Sequence, residues 1–274
     1  MARSRDDQRE IQQPQIPFTA PGERHEPQRE PDRSPQERYL IRESEMRTLV
    51  DIGTFRTLTI NDLAKHRYAG NRAQAQSEVR NLVRDGFLRI RTSHPSKAVY
   101  AALTREGKEF LNRRRAQGDR QTYYSHFVKP RELRHDAAIY RLYQEVAARI
   151  SRGGGHVRQV VLDFELKRSI NSRLAKLNSL PEAERERERQ QIAKDHDLTV
   201  VDGKIPLPDL RIEYETAERE QTKVDVELAT SDYHRDSLAA KARAGFSMYA
   251  LREDVGPLRR VIGDPELTKD ILSL

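Results

Sequence analysis

The chain has 274 residues, 36% of them hydrophobic and 34% charged, with no cysteine and a formal net charge of +7. That length gives room for one or two domains with tails. The lack of cysteine rules out disulfides and thiolate metal sites and fits a reducing cytoplasm. No apolar run approaches the roughly 20 residues that cross a bilayer, and no signal-peptide core follows Met1, so a cytoplasmic protein without membrane contact is expected. Neither a GxxxxGK[ST] phosphate loop nor a HExxH zinc motif occurs, which argues against a nucleotide hydrolase or a zinc peptidase.

The charge is unevenly placed. Residues 1–38 hold 7 Lys+Arg and 8 Asp+Glu, residues 39–120 hold 17 and 9, and residues 121–274 hold 26 and 26. The whole positive excess therefore lies in the middle segment, the electrostatic footprint of a module that binds phosphate backbones.

Residues 1–38 carry Pro14, Pro17, Pro21, Pro27, Pro31 and Pro35 among Gln, Arg and Glu. Such a segment buries too little apolar surface to offset its ordering entropy, so a disordered tail is expected. Glu43 to Thr54 then predicts a helix with Met46, Leu49, Val50 and Phe55 in the core. Thr59 caps a short second helix through Ala64. Asn71 opens a third, to about Asp85, in which Ala75, Val79, Leu82 and Val83 repeat at helical spacing, and Gly86 ends it. Phe87–Ile90 and Ala98–Leu103 predict two strands joined by residues 91–97. Thr104 caps a further helix that runs to Arg113-Arg114-Arg115. Residues 117–130 form a polar connector whose Tyr123, Tyr124 and Phe127 are expected to pack between domains.

The last segment starts with a helix over Pro130–Ile150, with a buried stripe of Leu133, Ala137, Tyr140, Leu142, Tyr143 and Val146, and Gly153–Gly155 break it. A strand is expected over Val157–Leu166, with Asp163 and Glu165 on one face. The charged stretch at about 168–198, centred on PEAERERERQQ, reads as a solvated helical insertion held by i,i+3 and i,i+4 ion pairs. Leu207–Tyr214 and Thr222–Leu228 then read as a hairpin. Alternation puts Asp225 and Glu227 on one face and Val224, Val226 and Leu228 on the other, with Asp209 beside the acidic pair. A helix over Tyr233–Leu251 bearing Lys241 and a strand over Leu258–Ile262 complete the order. If Asp209, Asp225 and Glu227 converge, they suit Mg2+, which takes oxygen ligands. Such an ion can activate water and offset the charge of a phosphodiester under attack. His135 is a candidate proton shuttle or a structural hydrogen-bonding histidine. The sequence places His234 and Asp236 as caps of the following helix.

Two resemblances follow from these residues. The string DGFLRI…KAVY…LTREGKEFL resembles the recognition helix, wing and closing helix of MarR- and PadR-like regulators. That resemblance implies a third helix in the major groove and a wing on the backbone or minor groove. Arg72, Gln76, Ser77 and Arg80 would then face base edges, and Arg91 and Lys97, with Ser93 and His94, would contact phosphates. The pattern Pro208-Asp209, Asp225-Val226-Glu227 and Lys241 resembles the PD-(D/E)xK nuclease-like superfamily, and more closely the replication-relaxation family of bacterial mobile elements. The resemblance runs from about Leu40 to the C-terminus. In it the nuclease lysine position is taken by Glu227, while Lys223 shares the face of Asp225 and Lys241 lies one helix later.

The expected architecture is α+β: a disordered tail (1–38), a winged helix-turn-helix domain (39–116), a connector (117–130) and a restriction-endonuclease-like α/β domain (131–274). The expected function is that of a cytoplasmic bacterial DNA-binding protein of a plasmid or other mobile element, acting in replication, mobilisation or transcription control. Its partners would be double-stranded DNA, a second copy in a homodimer, and replication or mobilisation proteins. One alternative is a Mg2+-dependent deoxyribonuclease with Asp209, Asp225, Glu227 and Lys241 as its site and the three acids as metal ligands. A second alternative is a protein-binding regulator without DNA contact.

Overall fold

The computed structural model describes residues 29–31, 40–230, 233–262 and 271–273 as a mixed α+β structure. Strand β1 (Arg29–Pro31) pairs antiparallel with β2 (Leu40–Arg42), which leads directly into helix α1 (Glu43–Phe55). Within the expected 1–38 tail, residues 29–31 pair with β2. The rest of that tail lies outside the described residues.

The helices that follow begin where the sequence places polar caps. After β3 (Leu58–Thr59), helix α2 (Ile60–Arg67) starts with Thr59 Oγ1 accepting the Asp62 N–H at 3.0 Å. Helix α3 (Arg72–Arg84) starts with Asn71 Oδ1 accepting the Gln74 N–H at 3.0 Å. Gly86 just beyond its C-terminus has φ +81°, a conformation that costs glycine little. Strands β4 (Leu88–Thr92) and β5 (Val99–Leu103) join β3 in an antiparallel sheet of order β3-β5-β4. Helix α4 (Arg105–Arg113) then packs so closely on the start of this hairpin that a Cβ on Gly107 would lie 2.3 Å from the Phe87 carbonyl.

The second half is built around one sheet. Helix α5 (Leu133–Arg152) follows a short 3-10 turn at Pro130–Glu132 and precedes β6 (His156–Leu162). Next come α6 (Asp163–Leu174), a 3-10 turn at Ala175–Ser179 and α7 (Glu182–Asp195). Strands β7 (Leu210–Glu215) and β8 (Gln221–Ala229) form the expected hairpin. Helix α8 (Arg235–Arg243), β9 (Ser247–Ala250), α9 (Arg252–Ile262) and β10 (Leu272–Ser273) complete the described chain. The sheet order is β10-β9-β8-β7-β6, antiparallel from β6 to β8 and parallel from β8 to β10. Leu210, Ile212, Val226, Leu228 and Tyr249 on one face share a core with α5. Ala229, Met248 and Ala250 on the other pack with Leu166, Ile170, Ile192, Leu238 and Leu258.

Three sequence expectations change here. Strand β6 stops at Leu162, so Asp163 and Glu165 do not share a strand face. Glu165 instead sits in the first turn of α6, where its Oε1 accepts the Leu162 N–H at 3.2 Å. The charged insertion is not solvated throughout, because Ile170, Leu177 and Ile192 are buried against the sheet. The strand that follows α8 is β9 and not Leu258–Ile262. Gly245, at φ +85°, ends α8 and frees the apolar run at Ser247–Ala250 to pair with β8, while Leu258 lies on α9.

The connector joins the halves through specific contacts. The Tyr124 N–H donates to the Gly53 carbonyl at 2.7 Å, and the Tyr124 ring meets Phe164 edge-on at 4.6 Å. Gln121 serves the outer edge of β6: its Oε1 accepts the Val160 N–H at 2.9 Å and its Nε2 donates to the Val160 carbonyl at 3.1 Å. Beneath the connector, Phe55 of α1 packs against Tyr140 and Tyr143 of α5 with centroids 5.2 and 4.8 Å apart. Asp51 of α1, fully buried, accepts Arg67 Nη2 at 2.6 Å, Arg67 Nε, and the Tyr140 hydroxyl at 2.7 Å.

Replacing one member of a buried pair leaves the other charge uncompensated. Asp51→Ala strands both Arg67 and the Tyr140 hydroxyl and is expected to lower the free energy of unfolding by about 3–5 kcal/mol. Urea titration checks this; a loss near that of an exposed pair, about 1 kcal/mol or less, contradicts it.

Candidate functional site

The carboxylates singled out in the sequence lie where β7 begins and β8 ends, and only two of the three meet. The Asp209 N–H donates to Glu227 Oε2 at 3.2 Å, and Asp209 Oδ2 accepts the Leu228 N–H at 3.0 Å. Glu227, with no exposed surface, also accepts hydrogen bonds from Lys241 Nζ and the Tyr233 hydroxyl through Oε1. His135 at the start of α5 faces this centre, its Nε2 3.7 Å from Asp209 Oδ1 and its Nδ1 3.8 Å from Asp136 Oδ1. These are ion-pair distances, longer than hydrogen bonds. Lys167 of α6 binds Asp163 at the rim of the same centre.

Asp225 lies elsewhere. Register places it opposite Arg211, whose Nε and Nη2 donate to its two oxygens at 2.6 and 2.9 Å. The same guanidinium, itself buried, reaches the His196 carbonyl at 2.6 Å. Lys223 adds a contact to Asp225 at 3.6 Å. Asp225 and Glu227 do share a strand face as expected, but Arg211 commits one and Lys241 the other.

The electrostatics follow from burial and these partners. Burial, then the adjacent Asp209, pushes Glu227 up to about 7, against the pull of Lys241. Burial also opposes ionisation of Asp209, but His135 and Lys241 hold it below the ordinary carboxylate range. Asp136 and then Asp209 push His135 up to about 10, against burial. Tyr233 is raised by burial and by Glu227.

This arrangement does not fit a resident Mg2+. Among the described residues no three His, Asp or Glu gather in a geometry that could hold a metal. The lone pairs of Asp209 and Glu227 that face each other already accept backbone N–H groups, a lysine ammonium and a phenol. The cleft beside them, lined by Phe55, Arg56, Leu162 and Phe164 among others, has about 10 Å³ of free space, room for one water. A larger open trough of about 650 Å³ lies on the insertion, between Lys176 and Ile192, and holds none of the expected site residues.

The second candidate surface is on α3 and the β4–β5 hairpin. Arg72, Ser77 and Arg80 are exposed and Gln76 is half-buried. The only carboxylate of α3, Glu78, is turned inward at 1% exposure and accepts the Tyr68 hydroxyl at 2.8 Å. On the hairpin Arg91 and Lys97 are exposed, but the Arg91 guanidinium stacks 4.7 Å over the Phe127 ring. The expected free phosphate contact at Arg91 is thus a brace between hairpin and connector in this structure.

Comparison with family models, curated proteins and solved structures gives no match. The geometry is therefore the basis for function.

Sequence reasoning missed Arg211, Tyr233, Lys167 and Asp136. Arg211 was legible in principle, because it pairs with Asp225 once the hairpin register is drawn. Tyr233 and Lys167 were not, because each reaches the centre from a separate element. His234, expected as a cap, occupies the N-cap of α8 without a side-chain cap bond.

The raised His135 pKa carries a sign. The stabilisation from protonated His135 is full below its ordinary 6.5 and is lost as pH rises through about 10. His135→Gln is therefore expected to be less stable than the parent at pH 6, with the gap closing by pH 10.5. Thermal melts across that range test it; a gap independent of pH contradicts it.

Proposed function

We propose that this chain is a duplex-DNA-binding protein in which residues 39–116 act as a winged helix and the second half is a nuclease-like platform without a working metal centre. The single observation that carries the reading is the composition of the exposed face of α3. It shows Arg72, Arg80 and Arg84 to solvent and buries its only acid. The hairpin continues this surface: residues 88–103 contain Arg89, Arg91 and Lys97 and no Asp or Glu. A solvated helix face in a chain with 43 acids ordinarily mixes signs, so a surface on which the only partly exposed acid, Asp85, lies beside Arg84 favours a polyanion.

Arg80 and Arg72 are the side chains assigned to the groove, and Lys97, at the hairpin turn, to the backbone. A role in replication, mobilisation or transcription control on a mobile element, as a homodimer on a two-part site, accords with the family resemblance. A metal-dependent nuclease is less well supported, because Arg211 and Lys241 engage two of the three carboxylates it needs. No described helix is long and apolar enough to cross a membrane.

Fluorescence anisotropy with short duplexes across a salt series tests the reading. The expected result is salt-steep binding in which Lys97→Ala reduces the slope of log K against log salt by about 1, while Arg80→Ala costs about 1–3 kcal/mol of affinity and relaxes sequence preference. No binding at low salt would overturn it. In the same samples, supercoiled plasmid with Mg2+ or Mn2+ is expected to remain intact; cutting that Glu227→Gln abolishes would restore the nuclease reading.

A further inference from the structure

Ile90 is half exposed, at 50%, and is one of two large hydrophobic side chains so exposed among the described residues. Its position on the hairpin is defined by register. Ile90 lies opposite Ala101 and Leu88 opposite Leu103, and Leu88, Ala101 and Leu103 belong to the core shared with α1 and α3. Alternation therefore puts Ile90 and Thr92 on the helix-facing side of β4, with Arg89 and Arg91 on the opposite side. Strand β4 is the outer strand of its sheet, so Ile90 continues the core stripe past the point where the helices cover it. The cations near it come from Lys97 at the hairpin turn and from exposed Arg80 and Arg84 on α3, while Arg89 and Arg91 lie on the opposite face of the strand. The one acid at the α3 terminus, Asp85, is paired with Arg84 at 3.6 Å.

An apolar side chain on a hairpin that bears Lys97 and no acid, beside a helix whose exposed face bears Arg80 and Arg84, matches the edge of a nucleic-acid groove, where sugar carbons and base methyls lie between phosphates. We propose that Ile90 is an apolar contact to duplex DNA, seated on the sugar and base edges between the phosphates that the hairpin and α3 engage. The inference rests on the DNA-binding reading and assigns a role to the side of the hairpin that carries no charge. Arg91, stacked on Phe127, ties the strand to the connector from its opposite face. An apolar contact releases no counterions, so it adds affinity without adding salt dependence.

The test compares the parent with Ile90→Ser, Ile90→Val and Lys97→Ala on one short duplex across a salt series, with circular dichroism and sedimentation in parallel. Ile90→Ser is expected to bind roughly fivefold to tenfold more weakly with an unchanged salt slope. Ile90→Val is expected to retain most of the affinity, and Lys97→Ala to change the slope. Parent-like affinity in a folded Ile90→Ser overturns the inference and leaves the DNA reading standing. An oligomeric state that shifts in Ile90→Ser without loss of affinity per protomer also overturns it, because the occupant is then a second copy. A parent that binds no duplex at any salt fails the underlying reading instead.

Discussion

The structure depends on a carboxylate that cannot see water. Asp51 on α1 is the common acceptor for Arg67 from α2 and Tyr140 from α5. In a low-dielectric interior each of these groups is costly alone, and together they are satisfied only in one relative placement of three helices. Phe55, Tyr140 and Tyr143 pack around the same point, so apolar contact and polar specificity coincide there. The first half of the chain is thus held against the second by a core that runs through both. Helix α3 on that frame keeps a fixed orientation to the sheet.

The polar centre at the end of the sheet has a different character. It gathers Asp209 and Glu227 with Lys241, Tyr233 and His135, and its charges are balanced from within. A site awaiting a cation would leave oxygen lone pairs converging on a space. Here the lysine ammonium and the Tyr233 phenol both engage Glu227 Oε1, and the neighbouring free space is that of one water. Burial and the neighbouring Asp209 raise the proton affinity of Glu227, against the pull of Lys241.

Much of this was legible in the chain. Thr59, Asn71 and Thr104 are polar residues placed before apolar periodicity, and each caps the helix it announces. The alternation of Val224, Val226 and Leu228 gave the correct face of β8. The sequence order helix, strand, strand, strand, helix, strand also appears in the structure as α5, β6, β7, β8, α8 and β9, with α6 and α7 inserted after β6. What failed were boundaries where two patterns compete. VVLDFEL reads as a strand by content, yet Glu165 caps the helix that interrupts it. Ser247–Ala250 is too short to announce itself beside a helical run, and only pairing with β8 defines it. The partners of the acids were least legible: Arg211 emerges only once the hairpin register is drawn, and Tyr233 and Lys167 arrive from separate elements and leave no spacing in the sequence.

Gln121 gives the connector a consequence for modularity. A strand at a sheet margin exposes unpaired N–H and C=O groups and invites other chains to add to it. At Val160 one glutamine amide occupies both groups, doing with a side chain what a neighbouring strand would do with its backbone. The guard belongs to the connector, outside the sheet it protects. The two halves are therefore poor interchangeable cassettes: a second half excised at residue 131 would carry its sheet away without its own edge protection, and would be prone to stack on copies of itself.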